Sequence, residues 1–355
     1  MSYFDSKRIV GTNTQRVGAD AVTGGWKEIG RTTLGSAGDA LTVSSFADKR
    51  YYMFLYNAIP SGEMTEYLTF GSSGTKDTGN NYVTRLSKNA GSDSTYTSRA
   101  NIVFSAKSGG TQPEFGVGFI ANKSDQEKMV ILNEVNAHSA GATSSNIPDR
   151  TEVIGKHVQT SNPLNVISFD NTGTGDYASG TECVVLGYDP DDTHTDNFWE
   201  QLASVELSSA NATIDSGTIT AKKYLWFQVY CAGSTASNRC HIRMNSLSTG
   251  IYADRYSSDG GSDSTDAASG SARISNNNNT DPKFVNGFII NNSGQEKLGI
   301  AHEVGVNGAT NAGAAPQRTS SAFKIATNTQ ATSLQIVNIS GNWSAGSFLK
   351  VWGSN

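Results

Sequence analysis

The sequence has no excess of positive charge and no long apolar run. Its 27 Lys and Arg residues stand against 32 Asp and Glu, and the net charge of -5 leaves no broad basic surface to hold a phosphate backbone. No apolar stretch reaches the ~18 residues that a membrane helix needs. The start, "MSYFDSKRIVGTNTQRV", lacks the apolar segment of a secretory signal. We therefore expect a soluble chain made in a cytoplasm, with neither nucleic acid nor a membrane as its partner.

Cysteine is also scarce. Cys183, Cys231 and Cys240 are an odd number without zinc-like spacing. Cys231 and Cys240 flank "AGSTASNR", which is typical of a hairpin loop, so the two thiols can face each other across two strands. Reduced thiols are the favoured interpretation because disulfides are rare in chains made in the cytosol. Whether these two cysteines are bonded stays open.

Catalytic signatures are missing as well. No serine lies in a G-x-S-x-G elbow, and the glycine-rich stretches "GSAGDA" and "GSSGTKDTG" lack the Lys-Thr ending of a phosphate-binding loop. The histidines show no paired metal-ligand spacing. We predict that the chain is not an enzyme and holds no cofactor. The five histidines are His138, His157, His194, His241 and His302.

What the sequence does contain is a long internal repeat. "GFIANKSDQEKMVILNEV" from Gly118 matches "GFIINNSGQEKLGIAHEV" from Gly287, and "GSDST" occurs at 91–95 and again at 261–265. "GGWKEI" at 24–29 matches "NFWEQL" at 197–202, and "PDRT" at 148–151 matches "PQRT" at 316–319. Because the order is preserved, we infer a tandem duplication of a domain of about 160 residues. The predicted boundaries are an arm at 1–24, copy 1 at 25–189, a linker at 190–197 and copy 2 at 198–355.

Both copies have the pattern of β-strands. Short runs such as "RYYMFLYNAI", "KMVILNEV", "ECVVLGY" and "YLWFQVYCA" are rich in β-branched and aromatic residues and are bounded by Gly, Ser, Asn and Asp. No apolar stripe follows helical spacing. Eight or nine such runs in each copy predict an all-β chain of two tandem antiparallel β-sandwiches, jelly-roll-like or lectin-like, after an extended N-terminal arm.

The strand "KMVILNEV" is apolar on both of its faces. Alternation sends Met129 and Ile131 to one face and Val130 and Leu132 to the other. We therefore predict a central strand that is covered on much of both faces.

Carboxylates and lysines recur at matched positions around this strand. Glu127 and Glu134 lie seven residues apart on one strand, about 23 Å, which is too far to flank one scissile bond. An ion pair at the strand end or an interface contact is the favoured role. The matched residues are Glu127, Lys128 and Glu134 in copy 1 and Glu296, Lys297 and Glu303 in copy 2.

Acidic residues on glycine-rich loops leave calcium open as an alternative. Asp93, Asp263, Asp176 and Asp191 offer the oxygen ligands that calcium prefers. Turns also require Asp, Ser and Gly for backbone reasons alone, so the pattern does not single out a metal.

A Tyr-x-x-Arg motif occurs at corresponding places in the two copies. Tyr82 is followed by Arg85 in "NNYVTR", and Tyr252 is followed by Arg255 in "GIYADR". Exposed aromatic rings on a sandwich can stack on sugars. The motif therefore predicts a glycan or interface contact, with a packed edge pair as the alternative.

Several phrases together resemble a family of known proteins. "GWKEIGRTTLGSAGDALTVSSF", "DTGNNYVTRLSKNAGSDST", "QEKMVILNEV" and the endings "SGTECVVLG" and "AGSFLKVWG" are similar to a domain of virion structural proteins of tailed bacteriophages and related viruses. Copy 2 departs from the pattern at its start, where "VELSSANATIDSG" replaces "TTLGSAGDALTVS". The resemblance implies a non-enzymatic β-sandwich that assembles into particles as a capsid, decoration or tail component. Its expected partners are itself and other virion proteins, and its expected location is the virion, after synthesis in a host cytoplasm.

A second hypothesis comes from a different class of protein. With 13 Tyr and 5 Trp, lectin-like sandwiches could serve as a carbohydrate-binding adhesin that recognises host glycans. Self-association distinguishes the first hypothesis, and sugar-selective binding distinguishes the second.

Overall fold

The computed structural model describes residues 25–104, 112–189, 192, 194, 196–237, 239–308 and 312–355. The arm predicted for 1–24 lies outside the described residues. Those residues form strands and no helix, so they contain no helix able to cross a membrane. The chain divides into two compact units. Unit 1 comprises the described residues up to 87 with 92–134 and 151–199, and unit 2 comprises 88–91, 135–150 and 200–355.

The first repeat forms a two-sheet sandwich. Its large sheet has eight strands in the order β1-β13-β3-β9-β10-β11-β6-β7, and its small sheet has five, β2-β12-β4-β5 with β8 paired to β4. The strands are β1 (Lys27–Thr33), β2 (Ala40–Ser44), β3 (Tyr51–Ala58), β4 (Glu66–Ser72), β5 (Thr75–Lys76), β6 (Tyr82–Lys88), β7 (Ser94–Arg99), β8 (Ile102–Val103), β9 (Glu114–Ala121), β10 (Lys128–Asn136), β11 (Asp149–His157), β12 (Val166–Asn171) and β13 (Glu182–Tyr188).

The second repeat has the same strand order, except that its described residues contain no counterpart of β5. Its eight-stranded sheet runs β14-β25-β16-β21-β22-β23-β18-β19, and its four-stranded sheet runs β15-β24-β17-β20. The strands are β14 (Glu200–Glu206), β15 (Thr213–Asp215), β16 (Tyr224–Cys231), β17 (His241–Met244), β18 (Tyr252–Ser258), β19 (Ser264–Ser269), β20 (Ala272–Arg273), β21 (Lys283–Ile290), β22 (Lys297–Gly305), β23 (Gln317–Ile325), β24 (Leu334–Val337) and β25 (Phe348–Ser354).

The all-β, antiparallel sandwich class is confirmed. The strand number is higher than the eight or nine predicted for each copy, because strands such as β1, β7, β14 and β19 are largely polar and lack the β-branched and aromatic pattern.

The cores explain the repeated "GFI". The first core contains Phe54, whose ring lies over the backbone of Gly118, where an added Cβ would come within 2.0 Å of the ring. Phe227 lies over Gly287 in the same way, with a corresponding distance of 2.4 Å. Only glycine leaves room for these rings, so the two glycines are kept for packing.

The repeated Gln-Glu-Lys phrase places a buried lysine at the start of a central strand. Lys128 Nζ lies 2.6–2.7 Å from two carbonyl oxygens of the preceding turn. Lys297 makes the same contacts in the second repeat, and both side chains are buried. The acceptors are Lys123, Gln126 and Gln159 for the first lysine, and Asn292, Gln295 and Thr327 for the second. The phrase is therefore a turn closed by an ammonium group, rather than an ion pair at this lysine.

The two faces of β10 differ. Val130 and Leu132 are buried, whereas Met129 is 62% exposed and Ile131 is 55% exposed. The predicted alternation is confirmed, but the prediction that both faces are covered is wrong for the described residues of unit 1.

Candidate interaction surface

Unit 1 carries an apolar patch on the outer side of its eight-stranded sheet. Met129 and Ile131 on β10 adjoin Ile154 on β11, which is 53% exposed, and Tyr51 on β3 is also exposed. A groove of about 840 Å³ runs over these side chains, with Arg85 among its lining residues. We call this surface the open face.

The corresponding face of unit 2 is closed. Leu298, Ile300 and Ala322 occupy the matching positions of the repeat and are 0%, 5% and 1% exposed. Apolar side chains at the same places of the same fold therefore have opposite environments.

Unit 2 shows how part of that face is covered. Unit 2 includes residues 135–150, the β10–β11 hairpin, which lies against four charged residues. Arg150 donates to Asp263 through Nε at 3.0 Å and Nη2 at 2.8 Å, and Arg255 Nε donates to the Pro148 carbonyl at 2.8 Å. We refer to Arg255, Asp263, Glu296 and Lys324 as the charged tetrad of unit 2.

The rest of the tetrad binds the backbone of the same hairpin. Lys324 Nζ donates to the carbonyls of Ala137 and Ser139, and Glu296 accepts from the Gly141 amide at 2.6 Å. Burial lowers the pKa of Lys324 to about 8, while the Glu296 carboxylate acts in the opposite sense. These side chains are 0–20% exposed, so the hairpin seals them from solvent.

Unit 1 has the same four residue types at the matching positions. Arg85 and Asp93 pair at 3.2 Å, and Lys156 and Glu127 pair at 2.8 Å. Arg85 faces Thr95 across the β6–β7 pair, as Arg255 faces Thr265 across β18–β19. These four side chains are 42–55% exposed. This second set is the charged tetrad of unit 1.

The two tyrosines predicted as ligand contacts belong to the cores. Tyr82 is 0% exposed, and its hydroxyl bonds to the Phe70 backbone and the Asp77 carbonyl. Tyr252 is equally buried, and its hydroxyl donates to the Leu247 carbonyl and accepts from the Met244 amide. A ring without exposed surface offers no face to a sugar. Their arginine neighbours lie on the outer side of the sheet and belong to the two tetrads.

Among the described residues, one acidic group has metal-ligand spacing, and sequence reasoning missed it. Buried Glu66, Glu114 and Glu134 place carboxylate oxygens within 4.8 Å of one another, and the Tyr56 hydroxyl donates to Glu66. The group brings together β4, β9 and β10, which no local motif could indicate. Glu127 is not part of it but forms the predicted strand-end ion pair, with Lys156.

The described aspartates considered for calcium have other partners. Asp93 pairs with Arg85 and Asp263 with Arg150, whereas Asp191 lies outside the described residues. Asp176 is half-buried on a loop, where its backbone N–H donates to the Ser61 hydroxyl at 2.9 Å.

The predicted facing cysteines do approach each other. Cys231 and Cys240 are buried and unbonded, with their sulfur atoms 3.4 Å apart. The described histidines form no cluster: His157 bonds to Asp77, and His241 contacts Ser271.

Comparisons with known proteins do not place the chain in a family. No family model matches, and no curated protein sequence matches. Among solved structures, domains LG4-5 of the mouse laminin alpha1 chain align over 93% of this chain and 91% of their own, at 8% identity and a TM-score of 0.20. The attachment invasion locus protein Ail of Yersinia pestis aligns over 82% and 99%, at 4% identity and a TM-score of 0.14. Scores this low support no argument about fold or function.

Proposed function

We propose that this chain is a self-associating structural protein of a virion, in a capsid, decoration or tail position. The observation that carries the proposal is the open face of unit 1. Soluble monomers seldom leave adjoining large apolar side chains uncovered, and such patches mark protein contacts. The resemblance of the repeated phrases to virion proteins supports the same class.

The second repeat supplies an internal comparison. Its matching positions are apolar and buried, so this face of the sandwich is suited to being covered by another part of a protein. Covering Met129, Ile131 and Ile154 would contribute about 1.5–3 kcal/mol for each side chain that passes from exposed to fully buried. Replacing any one of the three side chains should therefore weaken association measurably.

Sedimentation velocity of the purified chain over a concentration series tests the proposal. We expect the mean mass to rise with concentration and electron microscopy to show ordered assemblies. Ile131→Asp should weaken association, whereas Ile339→Asp, at an equally exposed site outside the open face, should not. A wild-type chain that stays monomeric at about millimolar concentration contradicts the proposal.

A second candidate function has its own observation. Three aromatic residues meet along the groove: Tyr188 lies 5.8 Å from Trp26 and stacks on Tyr51 at 6.2 Å. The aromatic rings could stack on the apolar face of a sugar ring, and Arg85 and Lys156 could donate hydrogen bonds to its hydroxyl groups.

A glycan array separates the two functions. Carbohydrate recognition predicts a sugar-selective signal that Tyr51→Ala abolishes while self-association is unchanged. A uniform absence of signal leaves assembly as the proposal, and a selective signal from a strictly monomeric chain replaces it.

A further inference from the structure

We propose a head-to-tail hairpin contact, in which the open face and charged tetrad of unit 1 bind the matching hairpin end, residues 316–319 at the start of β23, of a second copy of this chain. The inference rests on the proposed self-association and specifies the contact that produces it. It follows from the repeat, because the fold already contains one hairpin of this kind seated on one tetrad.

The seated example defines what the contact requires. In unit 2 the hairpin ending "PDRT" supplies a carbonyl from Pro148 to Arg255 and a guanidinium from Arg150 to Asp263. Both groups come from the start of a strand that follows the hairpin loop. The acceptor and donor on the tetrad are an aspartate and an arginine in contact at 3.8 Å.

The open face of unit 1 offers the same acceptor and donor. Asp93 and Arg85 correspond to Asp263 and Arg255 in the repeated "GSDST" and Tyr-x-x-Arg phrases. They are half exposed and held together at 3.2 Å. The site is therefore built in advance, with its apolar floor uncovered beside it.

The second repeat offers the matching hairpin end. "PQRT" places Pro316 and Arg318 where "PDRT" places Pro148 and Arg150, and Arg318 is exposed at the start of β23. By correspondence, Arg318 would donate to Asp93 of the next copy, and Arg85 of that copy would donate to the Pro316 carbonyl. Gln317 replaces Asp149, whose carboxylate lies 3.7 Å from Arg255, so the intermolecular contact lacks one charge pair. We therefore expect a weaker, reversible contact.

Such a contact is heterologous, because two different surfaces of the chain meet. Each bound copy leaves one open face and one hairpin end unused. Heterologous contacts propagate into a ring when the rotation closes and into a filament when it does not. Either outcome suits a protein that builds a repeating shell or tube.

A charge-swap experiment tests the pairing in the full-length chain. Asp93→Arg and Arg318→Asp should each weaken self-association by about tenfold or more, measured by sedimentation velocity, because each places like charges opposite one another. The double variant should regain most of the wild-type association. Asp125→Arg is the matched control. It reverses the charge of an exposed aspartate that pairs with Lys123, away from the proposed contact, and should leave association unchanged. Both target sites are exposed, and circular dichroism checks that each variant folds.

The outcomes separate the two proposals. If the wild-type chain associates and neither single reversal weakens it, the hairpin contact is wrong and self-association stands. If both reversals weaken association but the double variant does not regain it, the Asp93–Arg318 pairing is wrong. A wild-type chain that never associates overturns the hairpin contact together with the proposed function.

Discussion

The buried lysines of the repeated Gln-Glu-Lys phrase give the sharpest stability prediction. Lys128→Met keeps the length and much of the volume of the side chain but removes all of its N–H donors. Two carbonyls at 2.6 and 2.7 Å and a third at 3.4 Å then lose the ammonium donor, and the Lys123 carbonyl keeps the Gln126 N–H at 3.2 Å. A buried acceptor without a partner costs about 1–3 kcal/mol, and water can reach part of this turn. We expect Lys128→Met to lower the free energy of unfolding by about 2–3 kcal/mol.

Urea unfolding followed by tryptophan fluorescence measures the change. Lys297→Met should behave alike, because Lys297 holds three carbonyls in the same arrangement. Lys123→Met is the control, since the Lys123 side chain is exposed and forms a surface pair with Asp125. Its expected effect is below about 0.5 kcal/mol. If Lys128→Met is as mild as the control, the ammonium does not hold the turn and the reasoning fails.

Three further predictions concern the cores and the seated hairpin. Burial raises the pKa of Asp254 from 3.8 to about 8, so the folded state binds its proton more tightly than the unfolded state, and stability is lost as pH rises from about 4 to 8. Asp254→Asn has no carboxyl to ionise and removes this loss. The free energy of unfolding of the variant minus that of the wild type, measured in urea, should therefore rise by roughly 5 kcal/mol between pH 4 and pH 8. A difference that stays constant with pH would contradict the raised pKa of Asp254. Arg150→Met removes the guanidinium that hydrogen-bonds to buried Asp263 and leaves only Arg255, at 3.8 Å, as its described cationic neighbour. The loss should cost about 3 kcal/mol in denaturant unfolding, most of which Arg150→Met/Asp263→Leu should restore. Gly118→Ala should clash with the Phe54 ring, cost about 1–3 kcal/mol or more and lower the melting temperature. Gly35→Ala is the control and should leave the melting temperature unchanged, because no atom lies within 4 Å of the added carbon. Equal melting temperatures of the two variants would show that the ring moves aside freely.

The sequence predicted the class of fold because its signals are periodic and repeated. Alternation placed Val130 and Leu132 in the core, and the duplicated phrases predicted two sandwiches, which have the same strand order. Strands such as β7, β14 and β19 were missed because their residues are largely polar and exposed, so they carry no apolar pattern.

The surfaces were harder to predict, since burial depends on distant parts of the chain. Met129 and Leu298 occupy the same place in the repeat and have the same apolar character, yet one is exposed and the other buried. Nothing local distinguishes them. The Tyr-x-x-Arg motif predicted contacts through tyrosines that are buried, because an inward and an outward ring look alike in sequence. The contact role of Arg85 stays a prediction. The letter-for-letter "GSDST" repeat and the matched "PDRT" and "PQRT" were the available signals of the hairpin contact.

The composition of unit 2 bears on how the duplicated gene could evolve. Because unit 2 includes residues 135–150, its buried Lys324 depends on carbonyls encoded within the first repeat. A chain that began at residue 198 would leave the buried Lys324 ammonium without two of its hydrogen-bond acceptors. Once the β10–β11 hairpin of the first repeat became part of unit 2, losing or moving the gene segment for the first repeat would also damage unit 2. Selection would then act on the pair as a single inherited piece.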